Sequence, residues 1–200
     1  MALIEFAYVL PIFILMALTG AELTNFVTTR MRISQVALQI ADNAARMGNG
    51  SQLQAKTISE ADINDLLTGA GLQAGELDLF TRGRVVLVSL EPAARPNTAA
   101  TYKIGWRRCR GSKTYTPLYT TGLASPNFPD GLGPAGRKVT APDNGATMFV
   151  EVAYDYRPLI KTGLFGDNQI IEFASMMVRD RRDTSTAPTN TENAPISRCS

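Results

Sequence analysis

Residues 1–26 read MALIEFAYVLPIFILMALTGAELTNF, an almost unbroken apolar run that decides how the chain must fold. From Phe6 to Thr24 the only charged residue is Glu22. A helix of about 20 apolar residues spans the hydrocarbon core of a bilayer at ~1.5 Å per residue. Each large side chain moved out of water gains about 1.5–3 kcal/mol. We therefore expect lipid or other protein to cover this segment.

The charges around the run do not suit the two ordinary interpretations of an N-terminal apolar segment. No Lys or Arg occurs before Arg30, whereas a secretory signal peptide begins with a basic region and has a shorter apolar core. An ordinary membrane anchor would place Arg30 and Arg32 in the cytoplasm by the positive-inside tendency. Both difficulties disappear if a basic leader has been removed, which would make Met1 a mature N-terminus.

Glu5 is an acid close to the start of the run. A free α-amino group at Met1 is positive near neutral pH, and so is the N-terminal end of a helix. Glu5 can pair with its own amino group or, when subunits stack with an axial offset, with that of a neighbour. An opposite charge at ~4 Å returns about 4 kcal/mol at an effective dielectric near 20. Glu5 is thus expected to fix the register of subunit packing, the alternative being a polar residue that snorkels at the membrane edge.

The sequence ALIEFAYVLP at residues 2–11 resembles the start of processed Tad-type pilins and TadE-like pseudopilins, which belong to the type IV pilin-like superfamily. Glu5 and Phe6 match the family's fifth-position Glu and the aromatic residue after it. The resemblance implies a prepilin peptidase that acts on the precursor, and a subunit that pairs with copies of itself or with other pilins. The assembly residues are then Met1, Glu5, Phe6 and Pro11. Pro11 either bends the helix for packing or is a neutral irregularity.

After Asn25 the apolar residues narrow to a stripe with three- and four-residue spacing, which is typical of an amphipathic helix. The stripe consists of Phe26, Ile33, Val36, Ala37, Ile40, Ala44 and Met47. We therefore predict one helix over residues 2–47, about 70 Å long, ending at Gly48. Residues 1–25 form its transmembrane or polymerisation part, and residues 26–48 form a spine for the head.

Residues 49–182 are predicted to form the globular head. A short helix is expected over residues 57–72, with Ser59 as its N-cap. Strand character follows in four segments, at 84–90, 101–108, 148–156 and 169–178, of which the last would also suit a helix. The period-two alternation predicts an antiparallel sheet with one buried face. In the second strand that face is expected to carry Tyr102, Ile104 and Trp106.

The fold class is therefore α+β, with a long N-terminal α-helix packed against an antiparallel β-sheet head. The Pro/Gly-rich segment 111–146 interrupts the sheet and is expected to be a contact surface or disordered. The polar tail 183–200 has no core-forming pattern. Cys109 and Cys199 are the only cysteines. They either form a disulfide that fastens the tail, which needs an oxidising compartment, or remain two free thiols.

Several classes of function are not expected. The sequence contains no His, the residue most used in acid–base catalysis and as a metal ligand. Two cysteines cannot complete a zinc set, so we expect no enzyme, cofactor or metal. GLGPAG at 131–136 lacks the preceding strand that dinucleotide binding needs. With a net charge of +2, the basic runs WRRCR and RDRRD are expected to be solvated sheet edges and not a nucleic-acid site.

The sequence thus predicts a structural subunit of an extracellular pilus-like filament, resident in the bacterial inner membrane before assembly, with adhesion as a candidate role. The alternative is a membrane-anchored extracytoplasmic binding protein, or a priming minor pseudopilin, that does not form the shaft. A chain of 200 residues is large beside the very short shaft pilins of the Tad class, which gives weight to a minor role.

Overall fold

The computed structural model describes residues 2–50, 54–117, 128–160 and 168–199. The described residues form three α-helices and a short 3-10 helix, at α1 Ala2–Arg46, α2 Glu60–Ala74, the 3-10 turn Gly75–Leu77 and α3 Leu79–Arg82. Five strands follow within the same described ranges, β1 Gly83–Pro92, β2 Thr101–Arg110, β3 Phe128–Pro129, β4 Thr147–Asp155 and β5 Gln169–Met177. The four predicted strand segments are confirmed as β1, β2, β4 and β5, including the last, whose pattern also suited a helix.

The strands form one sheet in the order β3-β2-β1-β4-β5, and every neighbouring pair is antiparallel. The β4–β5 ladder runs without a register shift from Thr147 opposite Met177 to Asp155 opposite Gln169. Helix α1 packs on β4 and β5, and α2 packs beside α1. The predicted α+β class, a long N-terminal helix on an antiparallel sheet, is confirmed.

The C-terminal half of α1 buries the predicted stripe. Small residues let the helix approach the sheet closely, while Ile33 and Ile40 fill the space between them. The fully or almost fully buried positions are Ile33, Val36, Ala37, Ile40, Ala41, Ala44 and Ala45. Opposite them lie alternate residues of β4, Met148, Val150, Val152 and Tyr154. The amphipathic pattern therefore placed this half of the helix correctly.

Helix α2 begins at the predicted cap. The Ser59 hydroxyl accepts a hydrogen bond from the Asp62 N–H at 3.1 Å, and the Asp62 carboxylate accepts one from the Ser59 N–H at 2.9 Å. This reciprocal capping box satisfies two backbone donors, and such a cap contributes about 1 kcal/mol. The next residue, Glu60, is buried and forms an ion pair with Arg108 on β2. The basic run WRRCR at residues 106–110 is therefore only in part the solvated sheet edge that the sequence predicts.

The expectation of one buried sheet face is wrong, because both faces are covered. Every residue of β4 except Asp155 is buried. Part of the Pro/Gly-rich segment lies over the face opposite α1, where Leu132 is fully buried. That second cluster consists of Val86, Val88, Leu90, Tyr102, Ile104, Cys109, Phe128, Leu132, Ala141 and Phe149. Residues 118–127 of the segment lie outside the described residues.

A β-bulge explains why Trp106 does not share a face with Ile104. Ser89 pairs with Trp106, but the next residue, Leu90, pairs with Ile104, so Gly105 is the extra residue. Such an insertion reverses the alternation of side chains, and Trp106 joins the cluster under α1. A Cβ at Gly105 would lie 2.0 Å from the Glu91 carboxylate, so a larger residue here would displace the Glu91 side chain.

The polar tail is tied to the head. Thr189 donates its N–H to the Ile58 carbonyl and accepts from the Glu60 N–H, each at 2.8 Å. The Cys109 N–H donates to the Ser197 carbonyl at 2.9 Å. Cys109 and Cys199 form a disulfide with Cα atoms 4.9 Å apart. A tail without any apolar pattern thus gains its position from backbone hydrogen bonds and one covalent link.

Candidate assembly helix and its junction with the head

The N-terminal half of α1 has no cover within the described chain. Residues 3–20 are all exposed, and the helix is long and apolar enough to cross a membrane by length and composition. The large exposed side chains are Leu3, Ile4, Phe6, Tyr8, Val9, Leu10, Ile12, Phe13, Ile14, Leu15, Met16 and Leu18. Removing each of these side chains from water gains about 1.5–3 kcal/mol, so their exposure to water is strongly unfavourable.

Three of the predicted assembly residues lie in this exposed half. Glu5 is exposed, and within the described residues no hydrogen bond or ion pair reaches it. Phe6 is 60% exposed, and α1 continues through Pro11 without interruption. Met1 lies outside the described residues, so the pairing of Glu5 with a terminal amine stays a prediction, as does a bend at Pro11.

An exposed apolar row continues along α1 beyond the membrane-length half. Leu23, Val27, Met31 and Leu38 are each about half exposed. Their spacing of four, four and seven residues places them on one side of the helix. The apolar surface of α1 therefore extends along the outside of the head.

The junction between the two halves of α1 is built around Glu22, which is only 2% exposed. Its carboxylate accepts hydrogen bonds from the Tyr156 hydroxyl at 2.7 Å and from the N–H groups of Leu159 and Ile160 at 2.8 and 3.1 Å. Three donors compensate the loss of water around a buried carboxylate. Glu22 therefore ties α1 to the segment that follows β4.

Neighbouring residues of α1 complete the junction. The Asn25 side chain donates to the Tyr156 hydroxyl oxygen at 2.7 Å, and the Phe26 ring packs edge-on against the Tyr156 ring, 5.1 Å away. Burial and the hydrogen bond to Glu22 raise the pKa of Tyr156 to about 12. The phenol is therefore a neutral donor at physiological pH. We call Glu22, Asn25, Tyr156, Leu159 and Ile160 the Glu22 junction.

The sequence pattern assigns no role to Glu22, although it is the one charged residue between Phe6 and Thr24. A usable signal was present, since an acid at the end of an apolar helix needs a partner when it is buried. Its partners lie 134 to 138 residues later in the chain. No local pattern connects positions so far apart, so only the fold brings them together.

A polar groove lies at the opposite end of the head, beside the C-terminus of α1. Arg182 is buried and donates to the carbonyls of Ala44 at 3.2 Å and Met47 at 2.5 Å, which satisfies acceptors left free by the helix end. Burial lowers the pKa of Arg182 to about 10, so the guanidinium stays charged at neutral pH. RDRRD is therefore only partly a solvated edge.

The groove encloses about 860 Å³. Its charged lining consists of Glu91, Arg95, Lys103, Arg181, Arg182 and Asp183. Burial raises the pKa of Glu91, although Ser89 donates a hydrogen bond to it and Lys103 and Arg95 lie nearby. The hydrogen bond from Ser185 lowers the pKa of Asp183. The cations outnumber the acids, so the groove is suited to a polar ligand with anionic character.

Comparisons with protein-family models, with curated proteins and with solved structures found no match to this chain. The arrangement of a long N-terminal helix on an antiparallel sheet is compatible with a pilin-like fold. The feature of this chain that bears most on its function is the contrast between the uncovered half of α1 and the covered one.

Proposed function

We propose that this chain is a structural subunit of an extracellular pilus-like filament of the Tad type. The observation that carries the proposal is the uncovered half of α1, residues 3–20, in which Glu5 is the one charged residue. Lipid covers this half before assembly. In the filament the same half packs against its equivalents in neighbouring subunits, and the heads lie outside.

Glu5 gives this packing its register. Among apolar helices an unpaired carboxylate costs about 2.5–3.5 kcal/mol or more, so arrangements without a partner are disfavoured. A terminal amine released by a prepilin peptidase supplies that partner, from the same subunit or an axial neighbour. The resemblance of residues 2–11 to Tad-type pilins supports this role.

The head supports an extracytoplasmic location. The disulfide between Cys109 and Cys199 is of a kind that persists in oxidising compartments. With α1 crossing the bacterial inner membrane, the sheet and its tail then lie on the periplasmic side. After assembly they form the outer surface of the filament, where adhesion is a candidate role.

Removal of the Glu5 charge tests the proposal. We expect Glu5→Gln and Glu5→Ala to leave a folded, membrane-inserted subunit but to reduce the yield of lipid-free filaments several-fold. The yield is measured by sedimentation and negative-stain microscopy. Glu192→Gln makes the same chemical change at an exposed carboxylate of the tail and should leave the yield unchanged. A normal yield from both Glu5 variants would refute the register role.

A second candidate is a membrane-anchored binding protein, or a priming pseudopilin, that does not form the shaft. The groove near Arg182 favours it, because a charged cavity at the end of the head farthest from residues 3–20 is well placed to bind a ligand. The two candidates differ in the purified state. A polymer that sediments without lipid supports the filament subunit, and a detergent-soluble monomer supports the binding protein.

A further inference from the structure

We propose that the Glu22 junction presses the segment after β4 into the headgroup layer of the membrane, with Leu159 in the interface and Arg157 on lipid phosphates. The inference rests on the proposed membrane residence of residues 3–20. It adds a second membrane contact, made by the head itself, to the one made by the helix.

The first step is the depth of Glu22. Residues 3–20 form 18 helical residues, about 27 Å at ~1.5 Å each, close to the ~30 Å hydrocarbon core. Glu22 lies two residues further on, about 3 Å along the axis. The headgroup layer adds about 5–8 Å on each side of the core. A bilayer that covers residues 3–20 therefore has its headgroups level with Glu22.

The second step is the fixed distance between Glu22 and the head. The Leu159 N–H lies 2.8 Å from the Glu22 carboxylate, and the Ile160 N–H lies 3.1 Å from it. These bonds hold the backbone of the segment beside α1 at the depth just derived. The segment cannot leave the headgroup layer while the junction is intact.

The third step is the chemistry of the side chains held there. Leu159 is a large apolar residue that is 64% exposed, and Arg157 is exposed. Among the described residues no ion pair or hydrogen bond of Arg157 is found. An apolar side chain beside a long cation suits the bilayer interface, where the cation reaches phosphate oxygens.

An environment-sensitive dye on an introduced cysteine tests the proposal in the full chain. The native cysteines are joined to each other, so Leu159→Cys is the single labelling site under non-reducing conditions. The protein is placed in vesicles of phosphatidylethanolamine and phosphatidylglycerol whose acyl chains are brominated near the headgroup. We expect these lipids to quench the Leu159 dye several-fold more than a dye at Met177→Cys. Met177 is also half exposed, at the far end of β5.

A third label, Met16→Cys, separates the interface contact of Leu159 from the membrane residence of residues 3–20. Quenching at residues 16 and 159 supports the proposal. Quenching at residue 16 with a water-like Leu159 dye overturns the interface contact and leaves the membrane helix standing. Absence of quenching at both positions overturns the contact and the proposed membrane residence together.

Variants of Arg157 test the phosphate contact. In the labelled background, Arg157→Glu should weaken quenching at residue 159, whereas Arg157→Lys keeps the charge and should preserve it. Equal quenching in both variants would show that the cation does not contribute. Because Arg157 is exposed, neither change is expected to disturb folding, which near-ultraviolet circular dichroism of Trp106 can verify.

Discussion

The two halves of α1 are equally helical but differ in what covers them. Residues 3–20 are exposed on all sides, whereas the stripe between Ile33 and Ala45 is buried against the sheet. Residues 3–20 contain a single charged residue, whereas the second half mixes its apolar stripe with charged and amide side chains. A helix that is apolar all round needs cover on every side, and a striped helix needs it on one. The described part of the chain does not supply that cover to residues 3–20.

The two acids of the apolar run differ in the same way. Glu22 is buried with three hydrogen-bond donors from its own chain. Glu5 is exposed, and the described part of the chain offers it no partner. One acid is therefore part of the fold of a single subunit. The proposed role of the other is in contacts between subunits, so substitutions at the two sites should affect different measurements.

The largest expected effect on stability comes from a matched pair of isoleucines. Ile40 is 1% exposed, and Ile12 is 64% exposed. Ile40→Ala should lower the free energy of unfolding of the head by about 2–5 kcal/mol, because it leaves a cavity under the sheet. Ile12→Ala should leave it unchanged. Urea unfolding in detergent, followed by the fluorescence of the buried Trp106, measures both variants. Equal losses would contradict the division of α1 into two halves.

A smaller effect is expected at the two acids. Glu22→Gln retains the shape of the side chain but loses acceptor capacity, which leaves donors of the junction unsatisfied at a cost of about 1–3 kcal/mol. Amide exchange of Leu159 and Ile160 should accelerate. Glu5→Gln should change neither the free energy of unfolding nor the amide exchange of these two residues, although it reduces filament yield. The comparison fails if Glu5→Gln destabilises the head as much as Glu22→Gln does.

The smallest effect concerns Tyr156 and alkaline pH. Because the folded-state pKa is about 12 and the ordinary value is 10.0, the unfolded state loses its proton first. The contribution of Tyr156 to stability is thus complete below pH 10 and is lost as the pH rises towards 12. Tyr156→Phe should lower the free energy of unfolding by about 1 kcal/mol at pH 8. The difference in this free energy between the variant and the native chain should be smaller at pH 11. Tyr8→Phe, in the exposed half of α1, should leave the pH dependence of the free energy of unfolding unchanged.

Local sequence patterns were sufficient to predict most of the helices and strands. The three- and four-residue spacing located the buried stripe of α1, the Ser59 cap located α2, and β-branched alternation located the strands. Those signals are local, because each depends on residues within one or two turns of a helix or one strand. They also predict lipid or other protein around residues 3–20, which are exposed in the described chain.

Features that depend on distant pairing could not be predicted. The bulge at Gly105 becomes visible only when β1 and β2 are aligned, and it moves Trp106 to the other face. The second covered face depends on residues such as Leu132, which lies in a segment without periodicity. Glu22 finds its donors beyond β4. In each case the deciding contact joins segments that are far apart along the chain, so no local sequence pattern predicts it.

Electron cryomicroscopy of lipid-free material pelleted after detergent removal tests the central claim most directly. We predict filaments in which residues 3–20 of neighbouring subunits pack around the axis, with each Glu5 carboxylate within about 4 Å of an amino terminus. Heads should form the outer surface. Soluble monomers without filaments, or filaments with residues 3–20 on the outside, would contradict the account.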